Sequence, residues 1–234
     1  MKISCITPSI RPDGLAVTFK TLQAQTFNDF EWLPRLSIPG EKPDLCYQMN
    51  QALKEANGEL IVFLQDWIEI APDGLEKAWE AYGGLHRAWT FPVGKVRDLS
   101  DALPSDKDVR WDWRADWERE HPDGLIDYQS WEIDYGSVPR ELLERVYLAR
   151  GYYFNERYDE GFGWENVELA LELKKAGAAF MVDGDNKAIA WDHDAFIRHP
   201  YKDKPNADLW AIHKQCYERS DEATRGADSP LVST

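Results

Sequence analysis

The sequence predicts an α/β fold: a mixed, mainly parallel sheet flanked by helices in a single domain. Three observations carry this. Short apolar runs rich in β-branched residues alternate with longer segments of helical periodicity. The run Leu60-Ile-Val-Phe-Leu is apolar at every position, as in a strand covered on both faces. The chain has 234 residues, 43% of them hydrophobic and 29% charged, which is ordinary for a soluble globular protein and ample for one large core.

The elements follow in order. Residues 2–7 form a buried first strand that stops at Pro8, and a polar loop, Thr7-Pro-Ser-Ile-Arg-Pro-Asp-Gly, leads to a helix over 15–25. A strand over 30–37 carries Pro34, and a Pro/Gly loop at 38–43 precedes a helix over 44–56 with Leu45, Met49, Ala52, Leu53 and Ala56 at helical spacing. The strand over 59–65 delivers Gln65-Asp66-Trp67-Ile68-Glu69. Ala71-Pro-Asp-Gly-Leu opens a helix to about residue 82. Pro-Asp-Gly-Leu recurs at Pro12, Pro72 and Pro122 and reads as turn punctuation.

Residues 88–93 are strand-like, and Pro92 argues for an edge position or a bulge. Across 97–127 the composition shifts to Asp, Arg and Trp; this is either an acceptor-side loop or a surface helix with partly buried tryptophans. Pro139 fits the first position of the next helix. The tyrosines of 152–158 read as a binding wall. A helix follows to Gly177, with Glu165, Glu168, Glu172 and Lys175 as its polar stripe. Short strands at 178–182 and 187–194, a helix over 207–219 and a loose tail complete the chain. Asp183-Gly-Asp-Asn-Lys starts like a calcium loop and fails at Lys187.

The formal net charge of -15 excludes a nucleic-acid or anionic-membrane surface, which would need clustered Lys and Arg. A polyanionic ligand would have to be met by a local basic patch or a divalent cation. Cys5, Cys46 and Cys216 are odd in number and share no metal-ligand spacing, so a reducing, cytoplasmic setting is expected. No window approaches a membrane span.

The most unusual stretch is Gly161-Phe-Gly-Trp-Glu-Asn-Val-Glu-Leu-Ala-Leu. Two glycines bring the backbone close to something and deliver Trp164, Glu165 and Asn166 into a helix's opening turn. The bland reading is a tight connection with an acid favoured by the helix dipole. The trio resembles the Trp-Gly-Gly-Glu-Asn/Asp motif of sugar-nucleotide-dependent glycosyltransferases of the GT-A fold, particularly the galactosyl- and N-acetylgalactosaminyltransferases, and more broadly family 2. The second consecutive glycine is missing here.

The resemblance extends over about residues 3–195 as an ordered series: Thr7-Pro8, Gln25-Thr-Phe, a helix bearing Tyr47 and Asn50, Asn57-Gly-Glu, a strand ending at Gln65-Asp66, the Glu-Asn helix and then His193. It implies a GT-A domain over 1–204, with a nucleotide-binding half (1–96) and an acceptor and catalytic half (97–204), followed by a terminal helix and tail at 205–234. It further implies transfer of a hexose from a nucleoside diphosphate sugar, a UDP-sugar first, to a hydroxyl of a glycan or other acceptor. Thr7, Pro8, Ser9, Arg11, Tyr47, Asn50, Gln65, Asp66, Trp164 and Asn166 would contact the donor. Glu165 would be the catalytic base if the reaction inverts, and Asp66 and His193 would hold Mn²⁺ or Mg²⁺, with Glu69 a possible helper.

Asn50 also fits a plain polar helix position, and His193 a surface histidine. The family's acid after the second strand is replaced by Pro34-Arg35-Leu36, and Trp67 interrupts the metal motif. The alternative is therefore a non-catalytic sugar-nucleotide or carbohydrate-binding protein of the same fold.

Overall fold

A strand buried at every position needs partners on both edges and cover on both faces, and Ile3–Ser9 has them. The structure is a computed structural model describing residues 1–10, 12–37, 44–96, 109–160 and 163–191, with Ala211 and Lys214. In order the elements are β1 (Ile3–Ser9), α1 (Pro12–Gln23), β2 (Phe30–Leu36), α2 (Leu45–Glu55), β3 (Leu60–Leu64), β4 (Ile68–Ile70), α3 (Gly74–Tyr82), β5 (Arg87–Thr90), β6 (Val93–Val96), β7 (Arg110–Trp111), α4 (Trp117–Glu120), β8 (Tyr135–Pro139), α5 (Arg140–Arg150), α6 (Glu165–Lys175), β9 (Ala179–Val182) and β10 (Ala188–Trp191).

The main sheet runs β2-β1-β3-β8-β5-β9. β1 is parallel to β2 and β3, and β5 to β9, while β8 is antiparallel to both β3 and β5. Five strands therefore point one way and β8 the other. The carboxyl ends of the five and the lead-in to β8 share one edge, where ligands bind in open α/β sheets. A smaller sheet, β4-β10-β6-β7, packs beside it.

Side-chain alternation puts a core on each face. In β3, Ile61 and Phe63 join one cluster with residues of α2, α5 and α6, whereas Leu60, Val62 and Leu64 join the other with α3 and β4. Phe63 meets Trp131 and Phe154 edge-on, with ring centroids 6.2 and 6.1 Å away; removing such a ring costs about 3–5 kcal/mol. α3 and α5 stop at Gly83 (φ 49°) and Gly151 (φ 82°), left-handed positions that suit glycine.

Several expectations are corrected. Pro34 sits on the edge strand β2, where a missing N–H is tolerated. Pro92, by contrast, marks no edge; it lies between β5 and β6, where the chain passes from one sheet to the other. α1 starts at Pro12 and not at residue 15. Pro139 ends β8 and caps α5, one residue before the first helical position. β8 has no apolar periodicity because Gly136 is required by proximity: a Cβ there would lie 2.7 Å from the Glu132 carbonyl oxygen and 2.9 Å from that of Trp89.

Residues 110–120 form neither a long loop nor a full surface helix. They make β7, a 3-10 turn at Trp113–Asp116 and the short α4. The stripe on α6 is not solvated either: Glu168 is buried and ion-paired with Arg150. Tyr153 and Tyr158 lie in the core and do not form a binding wall. The loop at 38–43, residues 97–108 and the expected helix at 207–219, apart from Ala211 and Lys214, fall outside the described residues.

Candidate active-site edge

β1 ends in Ser9, whose hydroxyl donates to Asp66 Oδ2 at 2.5 Å, and both side chains are buried. Asp66 follows the last strand residues of β3, so the pair joins two neighbouring strand ends. Thr7 and Pro8 are buried beside them, and Thr7 Oγ1 accepts from Trp32 Nε1 at 3.0 Å. The first turn of α1 closes over this point because residue 14 is glycine. A Cβ there would stand 2.6 Å from Asp66 Oδ2 and from the Trp67 ring, and the Trp67 N–H donates to the Gly14 carbonyl at 3.3 Å.

Trp67 itself takes φ 65°, and the only other described non-glycine residue at positive φ is Trp164, at 75°. The left-handed region costs an ordinary residue roughly 1–2 kcal/mol. Such strain collects at functional sites, and these two residues flank Asp66 and Glu165.

The edge is extended by a buried cation. Arg114 is 3% exposed; Nη1 and Nη2 make a bidentate pair with Asp134 at 2.7 and 2.8 Å, Nε donates to Asp112 Oδ2 at 3.0 Å, and Nη1 also donates to Thr90 Oγ1 at 2.7 Å. Burial works to lower its pKa, but the hydrogen bonds and charges of Asp134 and Asp112 outweigh it and raise it. Arg114 thus pins the 112–116 turn to the end of β5 and to the β8 lead-in. The lead-in is tied to β3 in turn, because the Gln65 N–H donates to the Asp134 carbonyl at 2.9 Å.

α6 brings its opening turn to the β8 lead-in on this edge. Trp164 caps it and is 38% exposed. Glu165 is half-buried, with its pKa raised by desolvation first and by Asp159, against the lowering effect of its own backbone N–H. Asn166 is buried and donates through Nδ2 to the Trp131 carbonyl and to Glu132 Oε2, both at 3.1 Å.

Glu132 is open to solvent, yet its carboxyl is pushed up to about 7. Desolvation by the surrounding walls is the main cause, followed by the charge of Asp134, with Glu165 and Asp112 adding and Arg114 opposing. Sequence reasoning missed Glu132, Asp134 and Arg114. Acids spaced two apart just before Gly136-Ser137 were the available signal.

Of the expected donor contacts, Thr7, Pro8, Ser9, Gln65, Asp66, Trp164 and Asn166 lie along or beside this edge. Tyr47 is exposed in the first turn of α2, where its N–H and that of Cys46 donate to Asp159 at 3.1 and 2.8 Å. Asn50 is corrected. It is 1% exposed, Nδ2 donates to the Phe154 carbonyl and Glu156, and Oδ1 accepts from the Tyr153 and Phe154 N–H groups. Its polar atoms are committed to the 153–156 loop. Glu69 is exposed and accepts from Trp191 Nε1 at 3.0 Å, beside a groove of about 320 Å³ between α1, β4 and β10. Asp66 does not line that groove.

Arg11, Gly161 and His193 lie outside the described residues. Among those described, no three His, Cys, Asp or Glu side chains are grouped to hold a metal. Asp66 alone fits a hard cation by its donor chemistry: Mg²⁺ and Mn²⁺ take oxygen ligands and often only one or two carboxylates, the rest coming from phosphate and water.

No protein-family model matches the sequence, and no curated protein matches it. Solved structures do. The fold is similar to that of S. aureus TarS 1-349, with TM-score 0.57 and 16% identity over 82% of this chain and 60% of that one. The same protein in complex with UDP-GlcNAc gives TM-score 0.54 and 15% identity over 83% and 59%. The mannosyltransferase PcManGT from Pyrobaculum calidifontis, in complex with GDP-Man and Mn²⁺, gives 0.55 and 14% over 80% and 56%. The chain spans about 60% of the length of the first of these. It has the mixed α/β, mainly parallel fold of these glycosyltransferases.

Proposed function

We propose that the chain is a nucleotide-sugar glycosyltransferase, moving a hexose from a nucleoside diphosphate sugar, a UDP-sugar first among them, to a hydroxyl of a glycan or other acceptor. The observation that carries this reading is the shared edge: the Ser9–Asp66 pair joins the ends of β1 and β3, and the opening turn of α6 bonds to the β8 lead-in tied to β3, in a fold similar to glycosyltransferases of known structure. Thr7, Pro8, Ser9, Gln65 and Arg11 would face the nucleotide and its phosphates. Trp164 offers a ring to the sugar, Glu165 and Asn166 its polar contacts. Asp66 and His193 would hold a Mn²⁺ or Mg²⁺ ion, and when bound that ion would offset the charge building on the leaving diphosphate. The acceptor proton would pass to a carboxylate at the α6 end, for which the sequence nominates Glu165.

The experiment is thermal unfolding with UDP-GlcNAc and GDP-mannose, with Mn²⁺ and with EDTA, followed by donor hydrolysis, for wild type and Asp66→Ala. A donor at about 100 times its Kd contributes about 2.7 kcal/mol, a rise of roughly 5–10 °C at this size. The reading expects that rise and metal-dependent hydrolysis, both lost in Asp66→Ala. Binding without turnover would favour the non-catalytic protein, whose support is Trp67 in the metal motif and the missing acid after β2. No stabilisation by any nucleotide sugar would sink both.

A further inference from the structure

Resting on the transferase reading, we infer that Glu132, and not Glu165, accepts the proton of the attacking hydroxyl, with Asn166 as the residue that positions it. The geometry divides the roles. Asn166 sits in the first turn of α6 and is 9% exposed; its amide is fixed between the Trp131 carbonyl and Glu132 Oε2. That contact orients the Glu132 carboxylate. Oε1 has no hydrogen bond among the described residues, and the side chain is solvent-accessible, as a group receiving a proton from an acceptor arriving from solution must be. Glu165 is half-buried at the first position of α6, where burial raises its pKa and its own N–H offsets part of that rise. That suits a group binding sugar hydroxyls.

Electrostatics point the same way. A base works best with its pKa near the operating pH, and the Glu132 carboxyl lies at about 7. The charged groups facing it are Asp134 on its own segment, Arg114 and Asp112 from the turn before α4, and Glu165 from α6. Three carboxylates oppose its ionisation and one guanidinium favours it.

In the step, the acceptor oxygen bonds to the anomeric carbon as the bond from that carbon to the diphosphate oxygen breaks. The electron pair of the broken bond leaves with the nucleoside diphosphate, and the acceptor proton moves to Glu132. The outcome is inversion.

Two measurements test this. Carboxyl ¹³C NMR titration of the whole chain, with Glu132→Gln to assign the resonance, should give a Glu132 midpoint near 7, against about 4.3 for an ordinary glutamate. Asn166→Asp should move it further up. A wild-type midpoint in the ordinary range overturns the proposal whether or not any donor turns over. With a donor that passes the thermal test above, the acidic limb of the kcat/KM profile should coincide with this midpoint, and Glu132→Gln should lower kcat by 100-fold or more while still binding the donor. Glu165→Gln should chiefly raise KM and keep the limb. If Glu132→Gln turns over normally and Glu165→Gln abolishes the limb, Glu165 is the base and the transferase reading survives. If no nucleotide sugar binds wild type, the transferase reading fails, and the proton role of Glu132 fails with it.

Discussion

Arg114→Gln tests whether the edge is held together as described. The guanidinium is 3% exposed and makes hydrogen bonds to Asp134, Asp112 and Thr90. Removing one partner of a buried pair typically costs about 3–5 kcal/mol, because the remaining charge is left uncompensated. The Asp112 and Asp134 side chains are 24% and 26% exposed, so water screens part of that, and the lower end, about 3 kcal/mol, is expected. At 2–4 °C per kcal/mol the melting temperature should fall by about 6–12 °C. Urea unfolding should give the same loss with an unchanged slope. A second consequence concerns Glu132. Among the described residues, the Arg114 charge lowers its pKa, so the Glu132 midpoint should move above 7 in the variant. A melting change under about 2 °C, or a Glu132 midpoint that stays put or falls, would refute the account.

Two further outcomes follow from the same geometry. Asn50→Ala leaves the Tyr153 and Phe154 N–H groups and the Phe154 carbonyl without their partner; at about 1–3 kcal/mol for an unsatisfied buried group, a net loss of about 3 kcal/mol is expected by urea unfolding, and a loss below roughly 0.5 kcal/mol, that of a surface change, would refute a structural role for Asn50. For Glu165→Gln the sign comes from linkage: a carboxyl whose folded pKa is raised contributes stability below its unfolded pKa, and that stability is lost as pH rises through the folded value. The variant should therefore gain stability over wild type at pH 7 more than at pH 4, and an equal difference at the two would contradict the raised pKa.

Much of the fold was legible because its signals are local. The all-apolar run of β3, the apolar spacing of α2 and the glycine after α6 each report a regular element within a few residues. β8 was not legible, because what makes it a strand is its setting between β3 and β5; Gly136, Ser137 and Pro139 carry no period. The burial of Glu168 was equally hidden. An acid at helical polar spacing looks solvated until Arg150 arrives from α5 to pair with it. Tyr153 and Tyr158 misled for the converse reason, since aromatic rings near glycines serve a core as readily as a binding wall.

The candidate site divides along the same line. Trp164, Glu165 and Asn166 stand together in the sequence, so one motif can nominate all three, and the acid then attracts the catalytic role. What the motif cannot carry is direction. The carboxamide of Asn166 reaches back 34 residues to Glu132, and the ion cluster beside it joins Thr90, Asp112, Arg114 and Asp134 from three segments. Desolvation first, and then neighbouring carboxylates that the Arg114 guanidinium only partly offsets, leave Glu132 hard to ionise at a solvent-exposed position. A base poised near neutrality requires that combination. Glu165 is also raised by burial, but it is half-buried and partly held by its own N–H, so under the proposed reaction the α6 motif would orient the base and bind the sugar.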